Sequence, residues 1–359
     1  MATQTAIALT EINGPLTKIE IPIPEPKENE LLIKLTATAI APFDQKLRDL
    51  GLFGIGSRLP AVLSFDLAGI VEKHSPDLPA SLAKKFPLGT HVTAQANISS
   101  PLGGGLQQYT TIDAQFTSRV PSTISDLTAA LYPINGITSF AALFSTEGGP
   151  EHTNRGLGIP FTGTEGSSTF DYKNTQLAIL GGGTRCGKLA IQFAKMVGIG
   201  TIITTASPSS FSELKQLGAT HVVDRHSPNL VEEVRKVTGD ELLYVYDTMS
   251  AGDLSLPASL LSNSKKGKLS HLLHGKASPQ VLEAKKEGLE SWQMYGASVA
   301  HPQVSKVFWD GVAGWIEKGL VGGGYKVIEG GLEDVKAINS ALDGFRDGGF
   351  ERWHVKISE

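Results

Sequence analysis

The sequence predicts an α/β protein in which a mostly β portion precedes a doubly wound parallel sheet. Three observations carry this reading. From Met1 to about Pro121, short alternating runs are broken repeatedly by Pro and Gly. From about Asp126 the apolar spacing becomes helical, and after Gln176 apolar strands alternate with amphipathic helices. A chain of 359 residues is expected to form two domains, placed here at 1–125, completed by 303–359, and at 126–302.

The elements follow in order. Residues 17–21 alternate as a strand does, and 31–37 do so loosely. Leu127, Ala130, Leu131 and Ile134 share one face of a helix. Strands are expected at 176–180, 201–205, 221–224, 242–247, 268–274 and 291–295, separated by helical stretches such as 212–217 and 230–237. Between Gly148 and Asn174 lies a Gly-, Thr- and Ser-rich segment without a period, too long for an idle loop, so it is expected to be mobile or functional. Two helices, 304–318 and 332–346, and a last strand, 353–357, are expected to pack back on the first domain.

A formal charge of −4 and a pI near 6.2 give no general attraction to nucleic acid or to an anionic membrane surface. Lys265, Lys266 and Lys268 read as a solvated loop. The one cysteine, Cys186, allows no internal disulfide, and the start of the chain lacks a secretion signal, so a cytoplasmic location is expected. No uninterrupted apolar run approaches the roughly 18 residues of a membrane span.

The most informative stretch is Leu177-Ala178-Ile179-Leu180 running into Gly181-Gly182-Gly183-Thr184-Arg185-Cys186-Gly187 and then into a helix with Ala190, Phe193, Ala194 and Val197 on one face. Only glycine lets a backbone turn tightly and approach a pyrophosphate closely, and a helix start offers N–H donors and positive potential. The middle glycine of the usual fingerprint is displaced, leaving Gly182-x-Thr184-x-x-Gly187, but the strand before and helix after are those a dinucleotide site requires. An NAD site needs an acidic residue at the end of the second strand. Here the chain reads Thr204-Thr205-Ala206-Ser207-Pro208-Ser209-Ser210. Ser207 and Arg225, one residue past the third strand, can instead hold a 2′-phosphate, so NADPH is the expected cofactor.

These residues, with others in order along nearly the whole chain, resemble the medium-chain dehydrogenase/reductase superfamily, in particular its zinc-free quinone-oxidoreductase and enoyl-reductase branch. The landmarks are Pro42-Phe43-Asp44-Gln45-Lys46, Phe65-Asp66-Leu67-Ala68-Gly69-Ile70-Val71, Gly104-Gly105-Leu106-Gln107-Gln108-Tyr109, Gly136-Ile137-Thr138-Ser139, the glycine turn, Thr205-Ala206-Ser207-Pro208, Leu217-Gly218-Ala219 and Val245-Tyr246-Asp247. The Pro-x-Asp-x-Lys element and Val327-Ile328-Glu329-Gly330-Gly331-Leu332 look most like fungal secondary-metabolism reductases, including trans-acting enoyl reductases. The resemblance implies a GroES-like β domain plus a Rossmann doubly wound parallel sheet, with the site in the cleft between them, and either a monomer or a homodimer. Zinc-dependent relatives carry a Cys ligand near position 40 and Gly-His-Glu at the second element. This chain has Ile40-Ala41, Ser64-Phe65-Asp66 and one cysteine, so no metal site is expected. Ala41 stands where an Asn is common, Ser209 for a common Lys, and Arg225 for a common Tyr.

Without a Lewis acid to stabilise an alkoxide, hydride delivery is easier to a polarised C=C, whose developing enolate charge hydrogen-bond donors can hold. The expected activity is therefore NADPH-dependent reduction of an α,β-unsaturated carbonyl, on a small molecule that is free or bound to a carrier protein. Quinone reduction and nucleotide binding without turnover are the alternatives. The nicotinamide is expected to meet Thr138 and backbone near His274 and Gly275, with Lys46 binding a carbonyl or ribose or relaying a proton. Phe43, Phe65, Tyr132, Trp292 and Tyr295 are candidates to line the substrate pocket. Asp44 and Asp66 are expected to hold turns, Cys186 to pack in its turn, and His271, His274 and His301 to be satisfied polar residues rather than metal ligands.

Overall fold

The computed structural model describes residues 2–148 and 154–358 and divides them into two compact units, 1–134 with 306–359 and 135–305. The chain runs β1 (Thr3–Leu9), β2 (Leu16–Pro22), β3 (Glu30–Ile40), α1 (Pro42–Leu50), β4 (Ala61–Val62), β5 (Asp66–His74), α2 (Ala80–Lys85), β6 (His91–Gln95), β7 (Tyr109–Asp113), β8 (Thr117–Arg119), α3 (Asp126–Ala129) and α4 (Pro133–Phe144). The alternating stretch of the second unit comprises β9 (Gln176–Leu180), α5 (Arg185–Val197), β10 (Thr201–Ala206), α6 (Phe211–Leu217), β11 (His221–Asp224), α7 (Leu230–Thr238) and β12 (Tyr244–Asp247). It continues through β13 (Gly252–Asp253), α8 (Ser255–Leu260), β14 (Gly267–His271), β15 (Gly275–Lys276), α9 (Pro279–Glu283) and β16 (Leu289–Gln293). The closing elements are α10 (Pro302–Glu317), β17 (Lys326–Ile328), α11 (Val335–Arg346) and β18 (Trp353–Lys356).

In the first unit, seven strands form one largely antiparallel sheet in the order β17-β18-β3-β5-β6-β8, with β7 also on β3, and β2-β1-β4 form a second. The long β3 is central because both of its faces are apolar, with Leu31, Ile33, Leu35, Ala37 and Ala39 all fully buried. The last strand joins this sheet directly, Trp353 to Lys356 pairing with Ile40 to Ala37. That junction is fixed by a buried ion pair, Arg352 Nη2 to Asp66 Oδ2 at 2.5 Å, with both side chains almost fully enclosed. Asp66 Oδ1 accepts the Ile134 N–H at 2.8 Å. Asp66 thus does hold backbone in place, but its main partner is a cation that lies 286 residues away.

The division falls at 134/135 and 305/306 rather than at 125/126 and 302/303. Residues 126–134 are tied to the β unit by side chains: Asp126 accepts from Thr36 at 2.5 Å and pairs with His91 at 2.9 Å, and the Tyr132 hydroxyl donates to Leu320 O at 2.9 Å. Residues 126–144 have the length and mean hydropathy (1.3) of a membrane span, yet 78% of the segment is buried within the protein.

The second unit is a six-stranded, wholly parallel sheet of order β11-β10-β9-β12-β14-β16. Renumbered from β9, this is 3-2-1-4-5-6, the dinucleotide-binding order whose direction reverses between β9 and β12. Strand positions agree with the sequence expectation to within about two residues except at the end of β14, which stops at His271 rather than His274, the pattern itself leaving ends undetermined. The Gly- and Thr-rich stretch, described from 154 onward, contains no helix or strand but is not loose. Leu157 N and Ile159 N donate to Ala142 O and Leu143 O, and buried Phe161 packs edge-on against Phe144, 5.2 Å between ring centres. Gly156 is needed there, since a Cβ would lie 2.0 Å from Ala141 O. Lys268 is likewise no loop residue: it stands half-buried in β14, its Nζ donating to Leu157 O at 3.2 Å.

Replacing Arg352 by Met leaves the Asp66 carboxylate buried without its countercharge. A loss of about 3–5 kcal/mol in unfolding free energy is expected in denaturant titrations, and a loss below about 1 kcal/mol would contradict the structural role given to this pair.

Candidate cofactor and active site

The glycine turn leaves β9 at the point where the sheet order reverses. Gly181 has φ +80°, and a Cβ there would lie 2.3 Å from Met249, so glycine is required both for conformation and for space. At Gly182 a Cβ would lie 2.1 Å from Thr204 Oγ1 on β10, and at Gly187 it would lie 2.2 Å from Gly181 O. These three glycines are needed for the turn to fit between its own strands.

Thr184 takes over the displaced glycine position and does a different job. Its hydroxyl accepts the Gly187 N–H at 2.9 Å, capping α5, and lies 2.9 Å from Thr248 Oγ1, which in turn donates to Leu180 O at 2.8 Å. With Thr248 donating onward, Thr184 must donate to Thr248, and a continuous relay of hydrogen bonds closes the turn across the ends of β9 and β12. Sequence reasoning alone does not single out Thr248, although it directly follows the Val-Tyr-Asp landmark.

Gly183 differs from its neighbours. It is exposed, its φ is ordinary, a Cβ added to it would come no closer than 3.8 Å to any other atom (Ser210 Oγ), and its N–H has no partner among the described residues. The fold makes no demand for glycine here, whereas a phosphate lying against the N–H would. The residues present therefore suit a dinucleotide pyrophosphate. Arg185 follows at the first turn of α5, half-buried. Cys186 is turned away: its Sγ faces Asn135 Oδ1 at 3.6 Å, and its carbonyl accepts from Ser139 Oγ at 2.9 Å.

At the next strand ends, Ala206 and Asp224 are register partners, so Ser207 and Arg225 emerge side by side, and Arg225 N donates to Ala206 O at 3.0 Å. Arg225 is exposed and makes no ion pair with any described carboxylate. The segment 207–210 carries hydroxyls and no acidic group. His274 and Gly275 are less available than expected: strand β14 ends at His271, and the His274 carbonyl accepts from Gly252 N at 2.8 Å as β13 and β15 pair. Thr138 on α4 is nearly buried, and Gly296 packs so tightly on it that a Cβ there would lie 1.9 Å from Thr138 Oγ1.

In the first unit, Pro42 opens α1 and Asp44 caps it, Oδ2 accepting from Ala41 N at 2.8 Å while Oδ1 accepts from Ser64 N at 2.7 Å. Asp44 is fully enclosed, and burial pushes its carboxyl up to about 7 against the lowering effect of those two N–H groups. Lys46, one turn into the same helix, is half-buried and has no carboxylate partner among the described residues. Phe43 lies edge-on to Phe65, 5.8 Å between centres, so these two pocket candidates are brought together. The Tyr132 hydroxyl is already taken by Leu320 O. In the second unit Trp292 is buried beneath Arg155, 5.3 Å from guanidinium to ring centre, whereas Tyr295 is 40% exposed, so these two do not share an environment. His271 and His301 are buried with Nδ1 on Leu273 O and Ser145 Oγ, and burial pulls both below the usual histidine range. Among the described residues no three His, Cys, Asp or Glu side chains are grouped as metal ligands. The positions where a catalytic zinc would need donors hold Ile40, Ala41, Phe65 and Asp66, the last committed to Arg352, so the donor set does not fit that ion.

Two family models match this architecture: the alcohol dehydrogenase GroES-like domain over residues 27–122 and the zinc-binding dehydrogenase domain over 186–307, together more than half of the chain. The chain belongs to the medium-chain dehydrogenase/reductase superfamily. It is an oxidoreductase of that group, and the superfamily fold implies a nicotinamide cofactor. A zinc-type alcohol dehydrogenase-like protein of Schizosaccharomyces pombe is 28% identical, over 94% of both chains. A trans-enoyl reductase of Alternaria alternata, ACTTS2, is also 28% identical, over 94% of this chain and 96% of its own. Among solved structures, an alcohol dehydrogenase superfamily protein from Novosphingobium aromaticivorans superposes with a TM-score of 0.76 at 19% identity, over 99% of this chain and 100% of that one. The CurK enoyl reductase gives 0.74 at 18% identity, over 99% of each. Both share the fold of this medium-chain oxidoreductase.

For this oxidoreductase, Gly183→Ala is expected to leave thermal unfolding unchanged and to weaken nicotinamide dinucleotide binding at least about tenfold, because the added Cβ stands where the phosphate must approach and holds it out of reach of the retained N–H, forfeiting one charge-assisted hydrogen bond. Gly187→Ala is expected to cost at least about 2 kcal/mol of stability through overpacking. Equal effects of both substitutions on stability would contradict the distinction. Asp44 supplies a pH test: its folded-state value near 7 lies above the unfolded 3.8, so the folded form retains a proton that the unfolded chain has lost, and stability falls as pH rises between about 4 and 7. In Asp44→Asn that component is absent. The difference in unfolding free energy between variant and wild type should therefore move in the variant's favour from pH 4.5 to 7, and a constant difference would rule the proton out.

Proposed function

We propose that this chain is an NADPH-dependent, zinc-independent reductase of the activated C=C of α,β-unsaturated carbonyl compounds. Its substrate is a small secondary-metabolite intermediate, free or held as a thioester on a carrier protein, and it works in the cytoplasm. The observation that carries the cofactor reading is the carboxyl end of β10, where Ser207 stands in place of an acidic residue beside Arg225, a guanidinium without a carboxylate partner among the described residues. A carboxylate there would repel a 2′-phosphate, whereas a guanidinium fork grips one bidentately. The reaction reading is supported by relatives named trans-enoyl reductases, one matching over nearly its full length.

When bound, the nicotinamide supplies the hydride. The work of the chain is to seat and polarise. The Gly183 N–H and the start of α5 hold the pyrophosphate, and Thr184 with Thr248 keeps that turn rigid. Thr138, packed against Gly296, would offer its hydroxyl to the nicotinamide amide. Lys46 donates to the substrate carbonyl oxygen, favouring the enolate that develops as the C=C is reduced. Phe43 and Phe65 offer an apolar wall on which water is excluded.

Oxidation of NADPH followed at 340 nm with enones, enals, enoyl thioesters and quinones tests the reading. Turnover of the conjugated carbonyls is expected, with NADPH preferred over NADH. Turnover of quinones alone makes the chain a quinone reductase, and fluorescence enhancement of NADPH without any oxidation makes it a binding protein. Arg225→Ala is expected to weaken NADPH binding about 10- to 100-fold, as loss of a charged hydrogen-bonding partner does, with NADH unaffected. Equal losses for both cofactors would remove the 2′-phosphate role.

A further inference from the structure

Beside Arg225 stands a residue that neither the glycine fingerprint nor the strand pattern singles out. His226 is exposed, its backbone N–H is held by Asp224 Oδ1 at 3.0 Å, and its Nε2 lies 3.1 Å from Arg225 Nε. Because Arg225 Nε can only donate, His226 Nε2 must accept, so the ring is neutral and carries its proton on Nδ1. Neither side chain has an acidic side-chain partner among the described residues. The charged groups on elements packed against β11 are committed or solvent-facing: Glu213 of α6 to Lys188, Glu233 of α7 to Ser227, Arg235 to Asp240, while Lys215, Glu232 and Lys236 are exposed. β10 and residues 207–210 contribute only hydroxyls.

Protonating this imidazole next to the guanidinium would place two cations in contact with no acidic side-chain partner among the described residues, the nearby Asp224 carboxylate being engaged by the His226 backbone N–H. A doubly charged phosphate set between them reverses that balance. We propose that His226 is a second, proton-dependent contact for the 2′-phosphate of the cofactor, so that preference for the phosphorylated dinucleotide sharpens as the pH falls. This rests on the NADPH reading given above and adds a specificity-determining residue to it. Binding and protonation are then linked in both directions: the proton strengthens the hold on the phosphate, and the phosphate holds the proton. In the structure Arg225 Nε–H donates to His226 Nε2, and a proton on that nitrogen would break this bond and free the guanidinium for the ligand.

Dissociation constants for NADPH and NADH, measured by fluorescence titration at pH 8.5 and 6.5, test this in the intact protein. A phosphate monoester loses its second proton near pH 6, so the ligand keeps most of its charge over that interval. For the wild type the ratio of the two constants should grow about three- to tenfold in favour of NADPH on going to pH 6.5, and in His226→Gln it should stay flat. Proton NMR of the His226 ring should show protonation at higher pH with NADPH than with NADH. A wild-type ratio that does not change, or the same growth in His226→Gln, overturns the proposal. Arg225→Ala separates the two levels. If it abolishes NADPH preference at pH 8.5 while the wild-type ratio is flat with pH, only the His226 role fails. If it leaves the preference intact, the phosphate site itself is misplaced and the His226 role falls with it.

Discussion

The second unit is organised around a shortage of space at the reversal point of its sheet. The chain must leave β9, turn and enter α5 within the gap between Thr204 on one neighbouring strand and Thr248 and Met249 on the other. Three glycines satisfy that constraint by having no side chain, and Thr184 satisfies it by turning its side chain into the hydrogen-bond relay that holds both strand ends. What is left over, Gly183, is the one position in the turn at which the protein does not use its own glycine, and it faces solvent with an N–H that has no partner among the described residues. A rigid turn with one unsatisfied donor is a site preorganised for an anion, since no backbone rearrangement is needed on binding.

The first unit solves a different problem. Its central strand β3 is paired by the nearby β5 and β7 and by the late strand β18, and the interior contact that fixes the late arrival is ionic rather than apolar. A buried ion pair of this kind contributes less to net stability than packed apolar residues could, because desolvation offsets most of the attraction. It does penalise other registers of β18, each of which would leave Asp66 or Arg352 buried and uncompensated. Asp44 works on the same principle at shorter range, its carboxyl fastening the start of α1 to Ser64, a residue held at φ +73°.

Much of this is legible in the sequence, and the limit follows range. The six parallel strands, the glycine turn and the cap of α5 depend on residues within about ten positions of one another, and the periodicity and the fingerprint report such relations directly. Thr248, the partner of Thr184, is 64 positions away in the chain, and Arg352 is 286 positions from Asp66; no local pattern announces either. The stretch ending at Asn174 misleads for a related reason. Only 157–161 alternates, with Leu157, Ile159 and Phe161 buried, and that run is too short to stand out in a long polar stretch; it is held by backbone bonds to the end of α4 and by Phe161 against Phe144, relations that no local pattern reports. Residues 126–134 read as the start of the second domain from their helical spacing, yet spacing carries no record of which sheet a helix is fastened to, and Asp126 and Tyr132 decide that. The backbone roles expected of His274 and Gly275 suppose a strand end that, once β14 stops at His271, is occupied by the small β13–β15 ladder.

Because β18 and Arg352 complete a sheet begun by β3, more than 300 residues earlier, the two units cannot mature in step during synthesis. All of the second unit has left the ribosome once residue 305 emerges, while the first still lacks its last strand. At ordinary elongation rates the remaining 50 or so residues take roughly 3–10 s, far longer than a compact α/β unit needs to collapse. During that interval the edge of β3 that will receive β18 is open, and the Asp66 carboxylate has no guanidinium to meet. The nascent chain is therefore most exposed to unintended strand pairing between the emergence of residue 305 and that of β18, at an edge that β18 then covers.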